Sequence, residues 1–173
     1  MRNSTVVTAG LAAVLFCGRI EAESKRPMTI VDLINVPSIS DPQLSPDGTQ
    51  LLYTLSEADW GKNKRTAHIW RTDTDGSNVI RMTNGENGES SPRWAPDGLR
   101  FSFITQRGEE EDAEKQLFLI SNSGGEAKPL TDHETGVSNI QWSPDGVFIY
   151  FLSSNPKSEE EKRRDEVEDD VFA

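Results

Sequence analysis

The chain has 173 residues, with 18 Lys and Arg against 29 Asp and Glu and a formal net charge of −11. This length allows one domain or at most two, and the 34% hydrophobic content suits thin strands separated by polar turns. The acidic excess argues against nucleic acid as a partner, because phosphate backbones require a clustered basic face.

The first 22 residues have the three-part pattern of a secretory signal peptide. Arg2 supplies the positive end, residues 4–18 are small and apolar, and Ala22 offers a small residue at the cleavage point. The alternatives are a membrane anchor, for which the apolar run is shorter than the required ~20 residues, and lipidation of Cys17. We predict an exported protein, periplasmic or extracellular, with no stable membrane span and no cysteine after cleavage.

Residues 23–40 are predicted to be a lead-in segment with one short helix. Thr29 is placed as the N-cap, Asp32 occupies the capping-box position, and Ile30, Leu33 and Ile34 follow at helical spacing. Pro37 ends the helix.

Residues 41–173 contain one phrase three times, as PQLSPDGTQLLY at 42–53, PRWAPDGLRFSF at 92–103 and IQWSPDGVFIYF at 140–151. Such even spacing indicates a repeat architecture. Pro and Asp fit the middle of a type I turn, and Gly accepts the left-handed conformation that follows it. Each Pro-Asp-Gly corner is therefore predicted to close a β-hairpin.

Large apolar residues precede and follow each corner at strand spacing. We predict that they form packed layers between neighbouring sheets. The set is Leu44, Trp94 and Trp142 before the corners, and Leu51, Phe101, Ile149, Tyr53, Phe103 and Phe151 after them.

A second pair of strands follows in the segments 67–83 and 115–131, with turns at Asp75-Gly76 and Gly124-Gly125. Four antiparallel strands in a unit of about 50 residues make one blade of a β-propeller. The predicted fold class is all-β, a partial propeller of four-stranded antiparallel blades preceded by a short helix.

The incomplete propeller is predicted to hold about two and a half blades. These span residues 41–90, 91–138 and, in part, 139–173, with Val171-Phe172 opening a third strand. Because a ring closes with at least about four blades, we expect the chain to be a fragment of a longer polypeptide.

No catalytic, metal or cofactor site is predicted. Ser90 and Ser138 lie in motifs that lack the final Gly of a nucleophile elbow, and we expect both in interblade connections. His68 and His133 are interpreted as structural imidazoles, because no paired acid or ligand spacing accompanies them. The segment 73–78, DTDGSN, offers Asp73, Asp75 and Asn78 as calcium ligands but lacks the later Glu, so a hairpin turn is favoured.

The acidic runs 109–114 and 159–170 are predicted to connect the second and third strands of their blades. Runs of like charge are normally solvated and mobile. The alternative is an electrostatic guard over a channel, or an anchor for a cationic substrate end.

The stretch MTIVDLINVPSISDPQLSPDG, the PD40-type repeats and the charged SEEEKRRDEVEDDVF segment resemble the amino-terminal region of prolyl oligopeptidase family serine peptidases. The similarity is greatest to the acylaminoacyl-peptidase and dipeptidyl-peptidase branch. TolB-like periplasmic propellers share the repeat, but they carry a separate α/β domain where this chain has a short helix and Ser40-Asp41-Pro42.

This resemblance implies a propeller that caps a hydrolase domain with a Ser, Asp and His triad, so that short peptides reach the triad and folded proteins do not. No triad position falls in this chain, and we expect it to be inactive by itself. Its implied partners are peptide substrates of a serine peptidase. The alternative is a TolB-like scaffold that binds proteins in the cell envelope.

Overall fold

The structure, a computed structural model, describes residues 26–108, 113–161 and 163–164. The predicted signal peptide, most of the acidic run 109–114 and Val171-Phe172 lie outside these ranges. The elements are α1 (Ile30–Asn35), β1 (Ser38–Leu44), β2 (Gln50–Asp59), β3 (Lys64–Asp73), β4 (Ile80–Arg81), β5 (Glu89–Trp94), β6 (Arg100–Thr105), β7 (Gln116–Ser121), β8 (Lys128–Pro129), β9 (Val137–Trp142) and β10 (Ile149–Ser153).

Helix α1 begins with the predicted capping box. The Asp32 backbone N–H donates to the Thr29 hydroxyl, and the Thr29 N–H donates to the Asp32 carboxylate over 2.8 Å. The Arg26 guanidinium and these Thr29 bonds hold the pKa of Asp32 below its ordinary value. Arg65 in β3 donates to the carbonyls of Ile34 and Val36, which ties the end of the helix to the first sheet. No helix of the described chain is long and apolar enough to cross a membrane.

The strands form two four-stranded sheets, β1-β2-β3-β4 and β5-β6-β7-β8, and the hairpin β9-β10. All pairs are antiparallel, and the two four-stranded sheets confirm the predicted fold class of four-stranded antiparallel blades. Strand β1 begins at Ser38, inside the predicted lead-in segment. Strand β5 contacts both β1 and β9, so the sheets fan out from an inner edge made of these three first strands.

The three corners adopt the predicted hairpin turn. In each, the Gly N–H donates over 2.9 Å to the carbonyl of the residue three positions earlier: Gly48 to Ser45, Gly98 to Ala95 and Gly146 to Ser143. The three glycines have φ of +74°, +67° and +70°, a region that disfavours residues with a Cβ.

The corners also stack on one another. A Cβ at Gly98 would lie 3.8 Å from Pro46 Cδ, and a Cβ at Gly146 would lie 3.5 Å from Pro96 Cδ. Each proline therefore rests against the glycine of the following corner.

Two apolar clusters hold the blades together. The first, which we call the aromatic junction, lies between the first and second sheets. It contains Leu52, Ile69, Trp94, Phe101, Phe103, Phe118, Ile120 and Ala127. The second, which we call the aliphatic junction, lies between the second sheet and the third hairpin and contains Ile104, Leu117, Val137 and Ile140.

The predicted packed layers are only partly correct. Trp94, Phe101, Phe103 and Trp142 are buried as predicted, but Leu44 and Phe151 are 59% and 36% exposed. Successive strand residues point to opposite faces, and the face that carries Leu44 has no described sheet packed on it. The prediction also missed Leu52 and Ile104. Each lies next to a predicted position and points to the opposite face of its strand, and it is buried because that face packs on the following blade.

Candidate functional site

The inner edge carries a repeated irregularity that the sequence prediction missed. Asp41, Ser91 and Asn139 occupy equivalent positions in β1, β5 and β9, with φ of +48°, +56° and +50°. The register with the second strand shifts at or next to each of them. Asp, Asn and Ser are polar residues, and the first two tolerate this conformation best, so residue type was the one available signal.

Side chains tie the first strands together along this edge. Arg93 Nη1 lies 2.8 Å from the Asp41 carboxylate, and both side chains are a little over one quarter exposed. Gln43 Nε2 donates to the other oxygen of Asp41 over 2.8 Å. The edge is therefore polar but internally paired.

An indole bond crosses each junction at the same place. Trp94 Nε1 donates to the Gln43 carbonyl over 3.0 Å, and Trp142 Nε1 donates to the Arg93 carbonyl over 3.2 Å. We call this bond the indole clasp. The Trp142 indole also donates to the Ser102 hydroxyl over 2.9 Å, whereas the backbone carbonyl is the acceptor common to both junctions.

A buried carboxylate crosses the aromatic junction. Glu89 in β5 has a fully buried side chain and accepts three bonds, one from β3 and two from the connection between β4 and β5. The donors are the Thr83 hydroxyl at 2.7 Å, the Gly85 N–H at 2.6 Å and His68 Nδ1 at 2.9 Å. Thr83 in turn accepts from the Ile69 N–H over 2.9 Å, so the carboxylate is joined to the backbone of β3. A buried charge needs such partners.

His68 lies between this carboxylate and a cleft of about 540 Å³. Its side chain is 11% exposed. Since Nδ1 faces the Glu89 carboxylate, Nε2 is the ring nitrogen left for another partner. The cleft is also lined by charged and aromatic side chains from β2, the β2–β3 turn, β4 and the β4–β5 connection: Glu57, Asp59, Trp60, Lys62, Arg81 and Glu86.

This cleft can recognise polar groups but offers no strong nucleophile. Neither serine nor cysteine is found among the described residues that line it. Residues 26–108, 113–161 and 163–164 contain no group of three His, Cys, Asp or Glu placed to hold a metal ion.

The interpretation of His68 as an imidazole without a paired acid was wrong, because Glu89 lies twenty-one positions away in sequence and only the sheet packing brings it close. His133 does lie in a loop, where its Nδ1 contacts Thr135 and the Ser153 hydroxyl at 3.1 Å. The same nitrogen accepts from the Thr135 N–H, so this cluster closes a loop onto β10.

The candidate nucleophiles and calcium ligands have structural positions. Ser90 and Ser138 lie within β5 and β9, not in the connections where they were predicted. Neither is near a strand-to-helix turn. The segment 73–78 forms the favoured hairpin turn, in which the Gly76 N–H donates to the Asp73 carbonyl over 2.9 Å and Asn78 donates to the Asp73 carboxylate.

Sequence comparison identifies peptidases as relatives. No sequence profile of a known protein family matches the chain. An uncharacterized peptidase, YuxL of Bacillus subtilis, is 38% identical over 104 residues, which are 60% of this chain and 15% of the relative. Dipeptidyl-peptidase 5 of Porphyromonas gingivalis is 36% identical over 70 residues, 40% of this chain and 10% of the relative. The chain thus matches only a small part of the length of these relatives.

Solved structures show the same fold. Acylaminoacyl peptidase of Pyrococcus horikoshii superimposes with a TM-score of 0.58 at 19% identity, covering 72% of this chain and 19% of that one. The β-propeller domain of the Trilobed protease from Pyrococcus furiosus, described as having an open velcro topology, gives a TM-score of 0.51 at 20% identity, covering 66% and 34%. Together with the sequence relatives, these structures confirm the resemblance to the propeller portion of prolyl oligopeptidase family peptidases.

Proposed function

We propose that this chain supplies part of the propeller that controls peptide access to the hydrolase domain of an exported serine peptidase. The observation that carries the proposal is the pairing of propeller blades with sequence relatives that are peptidases. The hydrolase domain, with its triad, would lie outside these 173 residues.

The inner edge supports a role in limiting access. First strands sit at the edge of their sheets, so one side of each carries backbone groups unpaired within the sheet, and these require water or a ligand. Blades surround a central channel in a propeller, and here the channel side would carry Asp41, Arg93, Ser91 and Asn139. A polar wall of this kind suits passage of an extended peptide with its own unpaired backbone groups.

Contacts between blades would hold this wall in place, as a size filter requires. The indole clasps, the Asp41–Arg93 pair and the stacked corners fix each blade against the next. A folded protein could enter only if these contacts separated, whereas a short peptide needs no such change.

Export is proposed from the pattern of residues 1–22. It agrees with a chain that contains one cysteine, within that segment, and whose described blades are held by packing and hydrogen bonds.

The test begins with the coding sequence that follows residue 173. A Gly-x-Ser-x-Gly motif followed by Asp and His supports the peptidase, whereas further repeats and a stop codon support a TolB-like scaffold. The protein made from the whole reading frame should cleave dipeptide and acylamino-acid chromogenic substrates and react with a serine-directed probe.

The 173-residue chain serves as the control and should show neither activity nor labelling. Turnover with probe labelling by this chain alone would refute the proposal. Equal cleavage of an unfolded protein and of its short peptides by the whole protein would refute the gating role while leaving the peptidase assignment intact.

A further inference from the structure

The outer face of the β9–β10 hairpin exposes an unusual amount of apolar surface. Phe148, Tyr150 and Leu152 are each 60% or 61% exposed. The other face of the hairpin packs on the second sheet through Val137, Ile140 and Ile149. No sheet among the described residues covers the outer face.

The same molecule shows twice what covers this face. In the hairpin, Tyr150 and Leu152 pair with Gln141 and Ser138. The same two positions are held in the first sheet by Leu52 and Thr54, which pair with Gln43 and Ser40. In the second sheet they are held by Ser102 and Ile104, which pair with Arg93 and Ser90. All four of those counterparts are at most 5% exposed, because the following blade packs on them. The hairpin thus repeats a receiving surface that is occupied at both earlier positions.

The two occupied surfaces also show what the incoming sheet contributes. Each time it supplies a tryptophan whose indole donates to the carbonyl of Gln43 or Arg93, and the matching carbonyl on the hairpin belongs to Gln141. The Arg100 guanidinium lies 5.7 Å from the Trp142 ring centre, and Phe148 holds the position of Arg100. Pro144 likewise holds the position of Pro46 and Pro96, each of which rests on an incoming glycine.

We propose that the outer face of the β9–β10 hairpin is a docking surface for a further antiparallel sheet whose first strand carries a tryptophan three residues before the Asp of a Pro-Asp-Gly corner. The incoming indole donates to the Gln141 carbonyl and lies beside Phe148, and its glycine packs on Pro144. This inference does not rest on the peptidase assignment, because it follows from the two occupied junctions.

A second copy of this chain does not meet that description. The open side of its first sheet carries Leu44 at the tryptophan position, and the leucine side chain has no N–H to donate. Leu44 is 59% exposed, which leaves the position accessible for a test.

The experiment changes Leu44→Trp in the full chain and measures self-association by sedimentation velocity. The variant should form head-to-tail oligomers and bind itself about tenfold more tightly than Leu44→Phe, which adds a ring without the donor. Adding Leu152→Asp should return Leu44→Trp to a monomer, while Leu33→Asp on α1 should not.

Two results would overturn the proposal. If Leu44→Trp associates no more than Leu44→Phe, the indole does not specify the partner. If the unmodified chain already associates and Leu152→Asp dissolves it, the occupant is a second copy. The coding sequence gives an independent reading: a following Pro-Asp-Gly corner with Trp three residues before its Asp supports the proposal, and following corners that all lack this tryptophan contradict it.

Discussion

The two junctions of this molecule use one backbone frame and two kinds of chemistry. At the aromatic junction, Phe101, Phe103 and Phe118 pack against the first sheet, and Glu89 places a carboxylate beside His68. At the aliphatic junction, Ile, Leu and Val side chains form the buried cluster, and Val137 stands at the position of Glu89. Both junctions nevertheless have an indole clasp and a stacked corner.

The polar networks of the two sheets also share one frame, in which a threonine hydroxyl accepts from the third strand, but they differ in the group to which that hydroxyl donates. The Thr83 hydroxyl accepts from the Ile69 N–H and donates to Glu89, while the Thr131 hydroxyl accepts from the Leu117 N–H and donates to Gln116 Oε1 over 2.6 Å. The neutral amide of Gln116, which bonds within its own blade, thus takes the place of the Glu89 carboxylate, which bonds to the neighbouring blade. The repeat therefore sets where blades meet, whereas individual side chains set how they are held.

The largest expected effect is loss of an aromatic side chain. Phe103→Ala should lower the free energy of unfolding by about 3–5 kcal/mol, because Phe103 is fully buried and stacked on Phe118. Phe151→Ala, the equivalent change at the aliphatic junction, should cost about 1 kcal/mol because Phe151 is partly exposed. Urea unfolding measures both, and equal losses would contradict the distinction between the junctions.

The buried carboxylate gives the next largest effect. Glu89→Val should lower stability by about 2–3 kcal/mol, because Thr83, Gly85 and His68 lose their acceptor. Val137 and Gln116 hold the positions of Glu89 and His68 in the following repeat. Adding His68→Gln therefore reproduces that pair and should recover part of the lost stability.

The mirror change provides the control for this pair. Val137→Glu places a carboxylate in the aliphatic junction without an imidazole partner, and should cost about 3 kcal/mol or more. Additive effects of Glu89→Val and His68→Gln in a double-mutant cycle would show that the two side chains do not act together.

Removing an indole clasp should have a smaller effect, and one that is similar at both junctions. Trp94→Phe and Trp142→Phe each remove a donor while keeping an aromatic ring, and should each cost about 1–2 kcal/mol in urea unfolding. Leu44→Phe is the matched control, with no clasp to lose. A large loss at one junction and none at the other would mean that the clasp is not a shared device.

The smallest expected effect is on the pH dependence of stability, through the carboxylates of the Pro-Asp-Gly corners. The Ser45 hydroxyl, with the backbone and side chain of Thr49, holds the pKa of Asp47 below its ordinary value, and the Ser143 hydroxyl and Val147 N–H do the same for Asp145. A lowered carboxylate pKa contributes stability that is present above about pH 4, the value in the unfolded chain, and is lost as pH falls through the folded pKa.

The Asp47→Asn and Asp145→Asn variants should therefore lose less Tm than the unmodified chain when pH falls below about 4. The second corner has Ala95 where the others have serine, so Ala95→Ser should steepen the acid dependence slightly. Thermal melts across this pH range test both expectations, and an unchanged slope in all three variants would show that these bonds do not contribute.

The elements that the sequence predicted are those fixed by neighbouring residues. Thr29 and Asp32 cap the helix within one turn, and each Pro-Asp-Gly corner closes through a bond between residues three positions apart. The period-two pattern placed Phe101 and Phe103 on one face correctly, because strand geometry alone decides that.

The missed features depend on residues that are far apart in the chain. The partnership of His68 with Glu89 and the bridge from Asp41 to Arg93 form only when neighbouring sheets pack. Leu44 was expected to be buried because its repeat position is apolar, yet burial requires a sheet on the adjacent face.

The corners, the capped helix, the antiparallel blades and their spacing could be predicted from the sequence, because turn chemistry and side-chain alternation act over a few residues. Packing between sheets fixes which face of each blade is covered. It also buries a carboxylate beside an imidazole at one junction and brings an indole to the first strand of the preceding sheet at both. These features depend on distances between sheets, which no local pattern of residues specifies.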